Sequence, residues 1–307
     1  MLRRIPAVLA VLGLSALTLA ACSSSPASAT CERSDSDASV LDFVTASGDF
    51  GTPAQTLAAP VYVDETIYTD VTAGDGLQVT TDAQDVVFSV AISNGATGET
   101  LISSGTEVQP LSGWREYYDG LADMMMCATE GSRVVGAIPA SDLSEAAAES
   151  FGLDEDDSIV VTLDLQKVYL AAANGTPQFN ARRGMPSVVL APDGRPGIVI
   201  PDAAAPTELV VETLKKGDGA AITDDDTARV HYTAVSWDTG TVTTSTWETG
   251  ASTAVTTASD VAFAAQLSGA TVGSQLLVVV PAASEDETAM VYVIDILGID
   301  DPETTTE

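Results

Sequence analysis

The segment 131-GSRVVGAIPA-140 returns as 273-GSQLLVVVPA-282, and this pair decides how the chain is built. Working outward, 74-GDG-76 reappears as 217-GDG-219, each after a β-branched run, 66-TIYTDV-71 and 209-LVVETL-214. Each turn leads into an alternating strand, 85-DVVFSVAI-92 and 228-ARVHYTAV-235, and then a Thr-Gly turn, Thr97-Gly98 and Thr239-Gly240. The closing strands, 159-IVVTLDLQKV-168 and 290-MVYVIDILGI-299, align Asp164 with Asp295. The offset between copies is 142 at the Gly-Ser strand but 131 at the closing one, so the second copy lacks 11 residues of the intervening loop. Matched features in the same order identify an internal repeat.

Period-two alternation and Val/Ile-rich runs make each copy mostly strand. One short helix per copy is expected, within 113-GWREYYDGLADMMMCA-128 and near 259-SDVAFAAQLSG-269, where Ser259 or Asp260 can cap it. The fold class is α+β, two tandem domains. Their expected limits are 31–172 and 207–300, with an extended connector over 173–206 and an unstructured tail over 301–307.

Charge narrows the function classes. With 12 Lys+Arg against 44 Asp+Glu, the formal net charge is −32, and such a surface repels phosphate backbones and anionic head groups, which excludes nucleic acid as a partner. Two cysteines and a distant lone histidine give no metal-ligand spacing, so no metal and no cofactor are expected. The acidic runs 224-DDD-226 and 154-DEDD-157 read as solvated turns. Met124, Met125 and Met126 read as core filler at a helix end, and Tyr117 and Tyr118 likewise.

At the N-terminus, Arg3 and Arg4 precede the apolar 6-PAVLAVLGLSALTLAA-21, which ends in 19-LAAC-22. This resembles the lipobox of bacterial lipoproteins. It implies a signal peptide over 1–21, a lipid anchor on Cys22, a flexible tether over 22–30 and an extracytoplasmic, membrane-anchored location. Cys31 and Cys127 then remain as an even pair in an oxidising space, where a disulfide closing so long a loop contributes roughly 4 kcal/mol.

The second copy runs from its GDG turn through 230-VHYT-233, 243-TTSTW-247, a short helix, 272-VGSQLLVVVP-281 and 291-VYVIDILGI-299. In that order these pieces resemble an FKBP-type peptidyl-prolyl cis-trans isomerase domain; the first copy resembles it more faintly. The resemblance implies an antiparallel sheet curled over a short helix in each domain, with an apolar pocket between them. The implied enzyme twists X–Pro bonds of exported polypeptides without a nucleophile or base, by holding proline in a desolvated aromatic site.

Carried over residue by residue, the catalytic positions fall on Tyr232, Phe263 and Thr244, and the substrate pocket on Thr243, Val242 and Trp247. Tyr232 matches the pocket tyrosine, Phe263 the floor tryptophan, and Thr243-Thr244 the Phe-Asp pair; the flap falls on the deletion. In the first copy Val90 or Ser89 stands at the tyrosine, Leu101-Ile102 at Phe-Asp and Leu121 at the tryptophan, while Phe151-Gly152 lies in a flap that is present. Leu101, Leu121 and Phe151 are thus a first-domain pocket. These departures imply a degenerate first domain over 31–172 and weakened turnover carried by the second, 207–300, as the isomerase domain, with a non-catalytic peptide-binding chaperone or scaffold lipoprotein as the alternative. Strand alternation turns His231, the one histidine, away from Tyr232, as an outward-facing bystander.

Overall fold

In each copy the GDG turn is clamped onto the Gly-Ser strand, and the rest of the sheet is built from that clamp. In the first, Ser132 Oγ accepts from Gly74 N–H at 2.9 Å and Thr129 Oγ1 donates to Gly74 O at 3.1 Å. In the second, Ser274 and Thr271 make the same two bonds to Gly217, at 2.9 and 2.8 Å. A Cβ on Gly74 would lie 2.1 Å from Glu130 O, and one on Gly217 2.1 Å from Val272 O, so only glycine allows the approach.

The computed structural model describes residues 31–33, 37–179, 182–284 and 286–301. The expected signal peptide, the expected tether with Cys22, and the expected tail from 302 lie outside the described residues. The described residues from Arg33 onward form one compact unit. Cys127 is disulfide-bonded, and so is Cys31. No described helix is long and apolar enough to cross a membrane.

In chain order the first copy contains β1 (Val44–Ser47), β2 (Ala54–Leu57), β3 (Ile67–Thr72), β4 (Asp85–Asn94), β5 (Thr100–Gly105) and β6 (Gln109–Pro110). Then come α1 (Leu111–Tyr117), α2 (Asp119–Met125), β7 (Arg133–Pro139), α3 (Glu145–Phe151) and β8 (Ser158–Val168). The second contains β9 (Thr176–Pro177), β10 (Ser187–Leu190), β11 (Pro196–Val199), β12 (Val210–Lys216) and β13 (Thr227–Ser236). It ends with β14 (Val242–Ser245), β15 (Thr253–Thr256), β16 (Gln275–Val280) and β17 (Met290–Ile299). All pairings are antiparallel, in the orders β3-β7-β8-β4-β5 and β12-β16-β17-β13-β14.

The two sheets share their irregularities as well as their order. Bulges fall at Asp70/Thr72 and Thr213/Lys215, at Val87/Phe88 and Arg229/Val230, and at Ile92/Ser93 and Ala234/Val235. A bulge bends the strand and re-aims its side chains, so equal bulges give both sheets the same local bends. Register also settles the first-copy alignment: Val90 faces Leu163 as Tyr232 faces Ile294, so Val90 stands at the tyrosine position and Ser89 at that of His231.

Each sheet is covered on both faces, which is why its central strands read as continuous apolar runs. On the back of the first, the β1–β2 segment brings Val44, Ala46 and Leu57 onto Ile67, Val135, Ala137 and Val160. On the back of the second, β10–β11 brings Val188 and Ile198 onto Val210, Leu277, Val279, Val291 and Val293. Each fully buried aliphatic side chain contributes about 1.5–3 kcal/mol.

The helices differ from the sequence expectation. Among the described residues the first copy has three, of which α1 and α2 meet at Tyr118, whose backbone (φ −142°, ψ 73°) breaks the run. The second has no α-helix among the described residues. A 3-10 turn at Ala264–Leu267 stands there, stopped by Ser268 in a non-helical conformation and by Gly269 at φ 76°. The missing loop residues correspond to α3, between Pro139 and Ser158; the second copy joins Val280 to Met290 without it.

Where the copies meet, Arg229 pairs with Asp300 and lies over the Tyr169 ring, 5.6 Å from its centre, while Tyr169 Oη donates to Asp300 at 2.9 Å. Ser252 Oγ donates to Asp85, whose carboxyl burial pushes above the usual range.

Arg133 and Asp164 form an ion pair with 13% and 0% of their side chains exposed. Replacing Arg133 by methionine strands the carboxylate, so urea unfolding is expected to show a loss of about 3–5 kcal/mol. The matching Gln275→Met change, which removes a neutral donor, is expected to cost less, about 1–3 kcal/mol.

Candidate functional site: a cavity on the front of the first sheet

The front face of the first sheet, with α1 and α2 packed against it, encloses a cavity of about 380 Å³. Its walls include Phe88, Val90, Ile92, Ile102, Trp114, Tyr118 and Leu121, and its rim Ser104, Thr106, Glu107 and Gln109. Phe88, Val90 and Ile92 alternate along β4, so one face of that strand presents all three. Trp114 lies on α1 and Tyr118 at the break between α1 and α2, and both line the cavity.

Aromatic rings run along this wall. Phe88 meets Trp114 edge-on at 4.8 Å, Trp114 lies 6.5 Å from Tyr118, and Tyr118 6.3 Å from Phe151. Such pairs contribute about 0.5–1.5 kcal/mol beyond their burial and keep the wall in shape. Leu101 and Phe151 pack against the same core as the cavity walls. Thr106 fixes the rim: its hydroxyl accepts from Phe88 N–H at 3.0 Å and donates to Phe88 O at 2.9 Å. The Trp114 indole N–H is buried without an acceptor.

In the second copy the equivalent face carries three rings. Phe263, fully buried, lies 5.1 Å from Tyr232 and 5.3 Å from Tyr292. Burial and the neighbouring Tyr232 phenol push the Tyr292 hydroxyl above its ordinary range. Tyr232, Phe263 and Tyr292 stand where the first copy has Val90, Leu121 and Val161, so rings occupy space that aliphatic side chains leave open there. Tyr292 was missed in the sequence, although it alternates with Ile294 and Ile296 toward this face.

The remaining candidates are spread out. Thr243 and Thr244 are exposed on β14; Thr243 Oγ1 donates to Ala234 O at 3.3 Å. Val242 lines a separate cavity of about 470 Å³ with Val189, Leu190, Pro196, Thr233 and Ser245. Thr233 neighbours Tyr232 on β13 and so faces the other side of the sheet. Trp247 stacks on His231 at 4.4 Å, and a Cβ on Gly194, between β10 and β11, would lie 3.4 Å from its ring. Val242 and Trp247 are therefore not gathered with Tyr232 and Phe263.

His231 does point away from Tyr232, but it is 3% exposed rather than solvent-facing. Its Nδ1 is hydrogen-bonded to Thr246 Oγ1 at 2.8 Å. The sequence could not show that Trp247 and the β10–β11 segment cover this face.

No family model and no curated protein matches the chain. Among solved structures, the three FKBP domains of wheat FKBP73 align over 76% of this chain and 94% of that one, at 14% identity and TM-score 0.35. FkpA from Escherichia coli aligns over 34% of this chain and 47% of that one, at 18% identity and TM-score 0.29. A putative peptidyl-prolyl cis-trans isomerase FKBP12 from Mycobacterium tuberculosis aligns over 34% and 95%, at 24% identity and TM-score 0.25.

Burial of His231 lowers its pKa to about 4. Unfolded, the imidazole takes its proton near pH 6.5, so stability is intact above that pH and is lost as pH falls toward 4. Chemical unfolding at pH 7 and pH 4 is expected to show wild type losing up to about 3 kcal/mol more than His231→Gln, which has no such proton to bind.

Proposed function

We propose that the chain is an FKBP-like peptidyl-prolyl isomerase that binds proline-containing segments of exported polypeptides in the cavity of its first copy. One observation carries the reading. Val90, Ile102 and Leu121, at the three positions where the resemblance puts catalysis in the second copy (Tyr232, Thr244 and Phe263), all line that cavity. The volume is in the range of small-ligand sites, and its aromatic walls suit a prolyl ring. Rotation about X–Pro faces a barrier of roughly 18–20 kcal/mol because the twisted amide loses its resonance. An apolar enclosure favours the twisted form, since its carbonyl is less polar than the planar amide's and loses less on leaving water.

The envelope setting belongs to the same proposal: a two-domain lipoprotein anchored through Cys22, with Cys31 and Cys127 joined. A second reading, binding without turnover, is favoured by Ile102, which stands where the family places its aspartate. A protease-coupled proline-peptide assay separates the two. Catalysed isomerisation supports the enzyme. Saturable binding with a rate equal to buffer supports the binding module. No binding of either kind contradicts both.

Trp114→Ala is expected to weaken peptide binding by about tenfold or more, as loss of a central aromatic anchor does. Phe263→Ala is expected to leave binding by the folded protein unchanged while costing about 3–5 kcal/mol of stability. Titration calorimetry and urea unfolding on the same samples check both outcomes.

A further inference from the structure

We infer that Glu107 makes the first-copy cavity selective for proline segments that carry a lysine or arginine beside the proline. This rests on the proposed peptide-binding role and adds the class of peptide. Among the residues lining the cavity, Glu107 is the only carboxylate, and no cation accompanies it there.

Two anchors hold the rim on either side of that residue. Thr106 is bonded in both directions to Phe88, and Gln109 pairs with Val86 through β6. The Glu107 side chain makes no ion pair or hydrogen bond among the described residues. It is exposed. The arginines of this copy are engaged elsewhere: Arg33 with Asp70, Arg115 with Asp82, Asp119 and Asp123, and Arg133 with Asp164. A cation for Glu107 therefore has to come with the ligand.

The cavity's walls are aromatic and aliphatic, from Phe88, Val90, Trp114 and Tyr118, and its mouth carries the carboxylate. It thus offers an apolar body for a prolyl ring and a carboxylate beside it. A segment carrying a proline and an adjacent cation matches both. The overall charge of −32 draws cations to every part of the surface, so the local effect has to be separated from the general one.

The test uses the intact protein and three fluorescent proline peptides that differ at one residue next to the proline: Lys, Gln or Glu. Anisotropy titrations at low salt are expected to rank them Lys, Gln, Glu, with about a fivefold spread between the extremes that shrinks in high salt. Glu107→Gln is expected to abolish most of that spread. Glu65→Gln, an exposed control with the same change in net charge, is expected to leave the spread intact. Equal affinities for the three peptides, or a spread that survives in Glu107→Gln, overturn the inference while the peptide-binding role stands. No binding of the Gln peptide to wild type overturns both.

Discussion

A buried aspartate in the middle of each sheet is the interaction on which the rest depends. Asp164 accepts two bonds from the Arg133 guanidinium, at 2.6 and 2.8 Å, and one from Gly51 N–H at 2.7 Å. Asp295 accepts from Gln275 Nε2 at 2.7 Å and from Ala173 N–H at 2.8 Å. A carboxylate taken out of water is tolerated only when its oxygens find donors. Here the donors come from the neighbouring strand and from the segment that crosses the back of the sheet. One side chain therefore fixes the β7–β8 or β16–β17 register and also pins the covering chain. With the back closed in this way, the front is left for packing or for binding.

The two copies use that front differently. In the second, Tyr232, Phe263 and Tyr292 bring three rings together on it. In the first, Val90, Leu121 and Val161 stand at those positions, and the rings come instead from Phe88, from α1 and from α3. Aromatic volume has moved from the centre of the sheet to the helical wall, and a cavity lies between. The same frame thus gathers three rings at the front of one copy and borders a cavity at the front of the other.

The frame was legible in the sequence because its constraints are local and repeated. The clamped glycines, the Gly-Ser strands and the aspartates admit few substitutes, so both copies keep them in the same order. The site was less legible. The sequence pointed to Tyr232 and Phe263, which resemble family pocket residues, whereas the open cavity depends on where α1 puts Trp114 and Tyr118. Those residues have no counterpart in the second copy, and their spacing of four reads equally well as ordinary core. The burial of His231 was illegible for a related reason: its cover comes from Trp247, with the β10–β11 segment on the same face of the sheet, and no pattern in either announces it. The second-copy helix failed because Ala-rich composition between Phe263 and Leu267 does not outweigh Ser268 and Gly269 just after it.

The three tryptophans provide the most direct test that a proline peptide binds in the cavity on the first front. Trp114 lines the cavity, Trp237 Nε1 donates to Ala203 O at 3.0 Å, and Trp247 stacks on His231. Their indole N–H resonances can be followed while a proline peptide is added to the whole protein. The account predicts that the Trp114 resonance shifts saturably and the other two stay in place. Shifts at Trp237 or Trp247 with Trp114 unmoved would contradict it.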